Sequence, residues 1–252
     1  MHLTRYPGIL LLLALAFYNA GTSAQALSGP GPRDGQRLVD DEISSTEGFL
    51  NGHPDQRWRR MGLSAYDRKV FGFAREYFRR AARYADKASQ AMYAQMLWDG
   101  QGGAVDRPLA YAWMDLAAER GYRSFVAFRE SYWSQLSPVE REQAVSVGQA
   151  VYDQYGDAVA QPRLESVMRR ERLKTTGSHT GFDRGASVYM ATSTGQRIRV
   201  HRFWDARYWQ PEEYWDWQAE VWEAPGHSGR VEVLPLLPTD GPAPRKARDP
   251  AK

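Results

Sequence analysis

The 252-residue chain contains no cysteine, which excludes a disulfide framework and any lipid attached to a cysteine beside a leader cleavage site. A fold exported into an oxidising space then rests on burial alone. Charge of one sign is also lacking. Against 33 basic residues stand 30 acidic ones, a net +3, too weak a balance to call for a nucleic-acid partner. The local basic runs at Arg57–Arg60 and Arg169–Lys174 read as solvated helix faces. Beyond the first residues no run is apolar enough to span a bilayer stably.

Motifs of catalysis and metal binding are sparse. The five histidines (2, 53, 179, 201 and 227) include no pair at helical metal-ligand spacing, so no metal and no cofactor is expected, and His201 reads as a solvated strand residue. "GHSGR" (226–230) misses the nucleophile-elbow pattern because Arg230 stands where glycine is needed. "TGSHTG" (176–181) lacks the lysine of a phosphate loop and reads as a linker. Glu212 and Glu213 are adjacent, so they diverge on a helix or a strand and make a poor acid/base pair.

What is present begins with a leader. Arg5 precedes an apolar stretch at 9–17, and Ala24-Gln25-Ala26 follows as a small-residue cleavage pattern. Residues 1–26 are expected to be a secretory signal peptide, whose removal costs the charge of Arg5 only and leaves a net +2. With 28 arginines to 5 lysines, a usage associated with GC-rich bacterial genomes, the expected location is periplasmic or secreted. Residues 27–62 are polar and glycine-bearing and read as a flexible linker with at most a short helix near its end.

Order is expected from Leu63. Val70, Phe71, Ala74, Tyr77, Phe78, Ala81, Ala82 and Ala85 recur at steps of three and four, which predicts a helix with one buried stripe. A second helix is predicted over 87–99, stopped by Gly100 in the turn formed with Gly102-Gly103. Asp106 then caps a third helix that tolerates Pro108 in its first turn and ends at Gly121. A shift of 36 residues lays Ala110 on Ala74, Trp113 on Tyr77, Ala117 on Ala81 and Ala118 on Ala82. The alanines admit a neighbouring helix closely and the aromatic fills the gap between successive hairpins. A third copy is poor.

Gly100, Gly102, Asp106, Ala110, Trp113, Ala117, Ala118 and Gly121 together resemble the Sel-one-like repeat, a helix–turn–helix relative of the tetratricopeptide repeat. The match covers one unit, about 88–121, and part of a preceding one at 70–85. It departs from the family pattern where Tyr93, Ala94 and Leu97 replace the first helix's Leu-Gly-x2-Tyr, and where Gly103 replaces a valine. The resemblance implies a mainly α fold: a short α-solenoid of helical hairpins over 63–136, with capping helices over 137–174. It also implies an adaptor that engages an envelope protein or peptide. Candidate groove positions are Gln90 and Gln95.

Downstream, Ser137 before Pro138 with Glu140 three residues on is a strong helix start, and another short helix is predicted over 162–173. Residues 175–236 change character. "ASVYMA" and "RIRVHRF" flank a polar loop at 192–196 and predict a β-hairpin, with a possible third strand at 229–236 and a disordered tail at 237–252. Between them Phe203, Trp204, Tyr208, Trp209, Tyr214, Trp215, Trp217 and Trp222 form a dense aromatic run. Large aromatics dominate burial where the core is small, so packing is the favoured reading. The rival reading makes Tyr208, Trp209, Tyr214, Trp215 and Trp217 an exposed platform for envelope glycan. A third reading, an enzyme built from this part, has no motif behind it.

Overall fold

A computed structural model describes residues 40–175, 189–191 and 197–223. The proposed leader, the glycine-flanked linker, the near-miss elbow, the third strand and the tail lie outside the described residues. The fold is mainly helical. After a helical turn at 40–44 come α1 (Glu47–Gly52), α2 (Pro54–Asp67), α3 (Phe71–Ala82), α4 (Lys87–Asp99) and α5 (Arg107–Ala117). A 3-10 turn (Ala118–Arg120) leads into α6 (Arg123–Gln135), α7 (Pro138–Tyr155) and α8 (Asp157–Thr175). Strands β1 (Tyr189–Ala191) and β2 (Arg197–Arg199) precede α9 (Val200–Phe203), α10 (Ala206–Trp209) and α11 (Pro211–Glu223).

Local chemistry sets the helix ends. Asp106 accepts from the Leu109 amide at 3.0 Å. Ser137 and Glu140 form a reciprocal capping box. Gly100, Gly102 and Gly121 take left-handed angles, with φ of 70°, 77° and 73°. A side chain at Gly102 would also strike the Phe71 carbonyl at 2.5 Å, so the turn depends on glycine there twice over.

The helices pair α2 with α3 and α4 with α5, and α7 then packs onto α5 rather than along α6. Residues 36 apart take matching places in this stack. Ala74 and Ala110, Ala81 and Ala117, and Ala82 and Ala118 are all buried at helix contacts. Trp113 is buried between Tyr93, 4.7 Å away, and Tyr155, 4.5 Å away. Its counterpart Tyr77 is only half-buried, stacked between Trp58 and Phe73.

Three expectations are corrected. Residues 40–62 are not a linker: they form the 40–44 turn, α1 and most of α2, with Ile43 and Phe49 fully buried. Their apolar residues are few, but they meet Leu164, Met168, Phe203, Tyr208, Trp209, Tyr214 and Trp217 in a second core. Periodicity within the segment cannot register a core completed more than a hundred residues later. The C-terminal module is helical in the main. Tyr189 pairs with Arg199 and Ala191 with Arg197 in antiparallel register, but the chain turns helical at Val200, so the predicted alternation through His201 stops. The acidic pair after Pro211 opens α11, where first-turn carboxylates face unpaired amides. The helix predicted from Pro162 starts earlier, at Asp157, with the proline inside it.

Close approach of α2 to α3 makes a direct test. A methyl group at Gly62 would lie 2.6 Å from the buried Phe78 ring, whereas at Gly148, inside α7, it would meet nothing within 4 Å. Gly62→Ala is expected to lose about 1–3 kcal/mol through overpacking, while Gly148→Ala gains up to about 1 kcal/mol of helix propensity. Urea unfolding of both variants checks this, and equal midpoints would contradict the packing described.

Candidate functional site: a buried polar joint

A cluster of buried titratable groups lies where α2, α11 and the start of α4 meet. His53 caps the space between α1 and α2 and is fully buried. Its ring stacks on Phe49 with centroids 3.8 Å apart. Nδ1 lies 2.8 Å from the Phe49 carbonyl oxygen and Nε2 lies 2.7 Å from that of Tyr208. Only an imidazolium donates from both nitrogens. Burial nevertheless lowers its pKa to about 4, against the pull of the two carbonyls.

Two residues on, Asp55 is buried and accepts a short hydrogen bond from the Tyr214 hydroxyl. Its other oxygen has no hydrogen-bond partner. Desolvation, reinforced by the nearby charge of Asp86, raises its pKa to about 7. The same burial and the Asp55 charge hold the Tyr214 hydroxyl neutral, its pKa well above the usual tyrosine value. Gln56 donates to the Tyr214 oxygen at 3.0 Å and to Gln218 at 3.2 Å, which ties α2 to α11. Arg59 in turn donates to Gln56 and, at 2.6 Å, to Asp86, the N-cap of α4.

A second cluster continues from the next residue. Lys87, 1% exposed, opens α4 at a helix end that disfavours a cation. Its ammonium donates to Glu119 at 2.6 Å and to the Leu116 carbonyl at 3.1 Å, and stands 3.0 Å from Asp157. Burial lowers the Lys87 pKa, and Asp157 and Glu119 pull it back. Arg120 grips Asp157 through two bonds, at 2.7 and 2.9 Å, donates to the Ala85 carbonyl at 3.2 Å, and lies 4.7 Å over the Trp215 ring. Burial pushes Asp157 upward, but Arg120 and Lys87 outweigh it and hold its carboxyl below the usual range. Three cations (Arg59, Lys87, Arg120) thus face three paired carboxylates (Asp86, Glu119, Asp157), and Asp55 is the acid left over.

This joint has catalytic residue types but encloses them. His53 and Tyr214 are fully buried, and the hydrogen bonds of the cluster tie the helices around it together. Sequence reasoning missed it. Its one local signal is Asp86-Lys87, opposite charges set between alanine-rich stretches.

The residues expected to bind partners lie elsewhere than foreseen. Gln90 and Gln95 do not line a groove; both are buried in α4, with Gln90 donating to the Tyr155 carbonyl at 3.2 Å. Alanines 91 and 94 bring neighbouring helices so close that the polar positions between them are covered too. Tyr208, Trp209, Tyr214 and Trp217 are buried, and Trp215 is half-buried. Trp209 donates to the Phe203 carbonyl at 2.7 Å and Tyr208 to Asp40 at 2.5 Å. They are the core of the second cluster and not an exposed platform, because 40–52 and α8 cover the faces that a sugar ring would need. Among the described residues no group of three His, Asp or Glu side chains is placed to hold a metal ion, and no helix is long and apolar enough to cross a membrane.

Two predictions follow from the proton balance and the charge pairing. The folded pKa of His53 is depressed, so its contribution to stability is full above about pH 6.5 and is lost as the pH falls to about 4. The folded pKa of Asp55 is raised, so its contribution is full below about pH 4 and is lost as the pH rises through about 7. These slopes oppose each other, each approaching about 1.4 kcal/mol per pH unit in the shared window. In urea titrations between about pH 4.5 and 6.5, Asp55→Asn should grow more stable with rising pH and His53→Gln less stable. Parallel profiles for the two variants would refute the assignment. At the second cluster, Lys87→Met leaves Glu119 and Asp157 partly unpaired and should cost about 2–4 kcal/mol. Lys174→Ala, which breaks an exposed pair with Glu171, should cost under about 1 kcal/mol. Comparisons of the chain with protein-family models, with curated proteins and with solved structures return no match.

Proposed function

We propose that the chain is an exported, non-catalytic scaffold of the bacterial cell envelope, a short solenoid of Sel-one-like hairpins that holds a protein or peptide partner. The observation that carries this reading is the 36-residue equivalence of packing roles. The alanine pairs at 81–82 and 117–118 and the alanines at 74 and 110 are buried at helix contacts in both units. A unit of this kind buries its apolar face only against neighbours, and stacks of such units present extended surfaces. The glycine turn and its caps serve that stacking by bounding the two helices of the unit.

The buried joint supports the same reading. It clamps α11 and the N-terminal helices onto the stack through enclosed hydrogen bonds, which suits a rigid platform. Export rests on the leader pattern at 1–26, with maturation after Ala26.

The test is chemical crosslinking in the native envelope at native abundance, with identification of partners by mass spectrometry. The expected result is a small reproducible set of envelope proteins attached to a chain that begins at Leu27. Recovery of the mature chain without any protein partner would overturn the scaffold reading, and an uncleaved cytoplasmic chain would overturn export.

A further inference from the structure

α3 is apolar on two faces. One face, Ala74, Phe78, Ala81 and Ala82, is buried. The other reads Val70, Phe73, Tyr77 and Arg80, with steps of three, four and three, the seam spacing by which one helix receives another. Phe73 is 62% exposed and Val70 42%. The side chains are already ordered into a strip. Phe73 stacks on Tyr77 at 6.2 Å, Tyr77 on Trp58 of α2 at 5.7 Å, and the Arg80 guanidinium, paired with Glu76 at 2.8 Å, lies 4.9 Å over the Trp58 ring.

The second unit indicates what such a face receives. There Trp113, the counterpart of Tyr77, meets Tyr93 of its own hairpin edge to face, where Tyr77 instead stacks on Trp58, and Trp113 is also covered by Tyr155 of α7. α7 packs along α5, and among the described residues α3 has no such helix laid over its seam. The hairpin that carries the open seam is strongly basic: residues 54–83 hold nine arginines and lysines against three acidic residues, in a chain whose net charge is only +3.

We propose that the strip Phe73–Tyr77–Trp58–Arg80 docks an acidic amphipathic helix of a protein partner, in the place that α7 takes one unit later. The proposal rests on the scaffold reading and deepens it by naming the surface and the partner's chemistry. Apolar side chains of the incoming helix cover Phe73 and Tyr77, and its carboxylates face Arg80 and the neighbouring basic residues. Aromatic and arginine anchors of this kind concentrate binding energy in few residues, and the charges chiefly set association rate and salt dependence.

The experiment uses the mature full-length chain against a displayed library of single-helix peptides about 20 residues long. Enriched clones are synthesised and measured by fluorescence anisotropy. Net-acidic helices with leucine or aromatic residues on one face should be selected. They should lose at least about tenfold in affinity for Phe73→Ala and for Arg80→Glu, and weaken as salt rises. Both positions are surface sites, so the variants should melt within a few degrees of the parent, about the scatter of surface substitutions. Selected peptides that are not acidic, or that bind the variants as tightly as the parent, would overturn the proposal. So would a strip-dependent retention on phosphatidylglycerol vesicles without peptide selection, or a strip-dependent self-association.

A photocrosslinking residue at position 73, with one at the exposed Val145 as reference, separates this failure from that of the scaffold reading. Capture of an acidic helical segment at 73, lost in Arg80→Glu, supports the docking face. Protein captured at 145 but not at 73 overturns the docking face and leaves the scaffold standing. No protein captured at either position counts against both.

Discussion

Two adjacent charges of opposite sign, Asp86 and Lys87, are buried together at the start of α4, and the helix stack and the C-terminal module are joined through them. Asp86 caps α4 and binds Arg59 of α2. Lys87 reaches the far end of α5 and the first residue of α8. Ala85, just before them, takes a left-handed φ of 61° and presents its carbonyl to Arg120. A single buried charge at this depth would cost several kcal/mol of desolvation. Alternating cations and carboxylates, three of each, remove that penalty by pairing, and the geometry of each pair restricts where its helix can lie.

Asp55 is the acid outside this balance, and its neighbour His53 is the base that burial keeps from charging. Both sit at the start of α2, under the aromatic residues of α10 and α11. Burial shifts both groups toward their neutral forms, the acid upward and the base downward. On the same hairpin Phe73, Tyr77, Trp58 and Arg80 form a partly exposed stacked strip.

Much of the helical part was legible along the chain. Gly100, Asp106, Gly121 and the Ser137–Glu140 box mark helix ends through bonds made within a few residues, so their types suffice to place them. The repeated alanines at 74, 81, 82, 110, 117 and 118 announce close helix contacts because no larger side chain fits there. The site was far less legible. Gln90 and Gln95 read as surface positions by polarity, yet the helices around α4 bury them, and the Gln90 amide nitrogen donates to the carbonyls of Ala82 and Tyr155 while its oxygen has no hydrogen-bond partner. His53 looked like one of five scattered histidines, because its partners at Tyr208 lie 155 residues away.

The amino-acid sequence by itself determined the helices, their caps and the small-residue faces, since each depends on neighbours three or four positions distant. Tertiary structure alone decided that 40–62 is ordered, that the aromatic run is core, and that α7 closes over Trp113 while Tyr77 stays half-open. These outcomes depend on surfaces brought together from distant parts of the chain. Burial and pKa are properties of that assembled surrounding, and no local pattern of residues carries them.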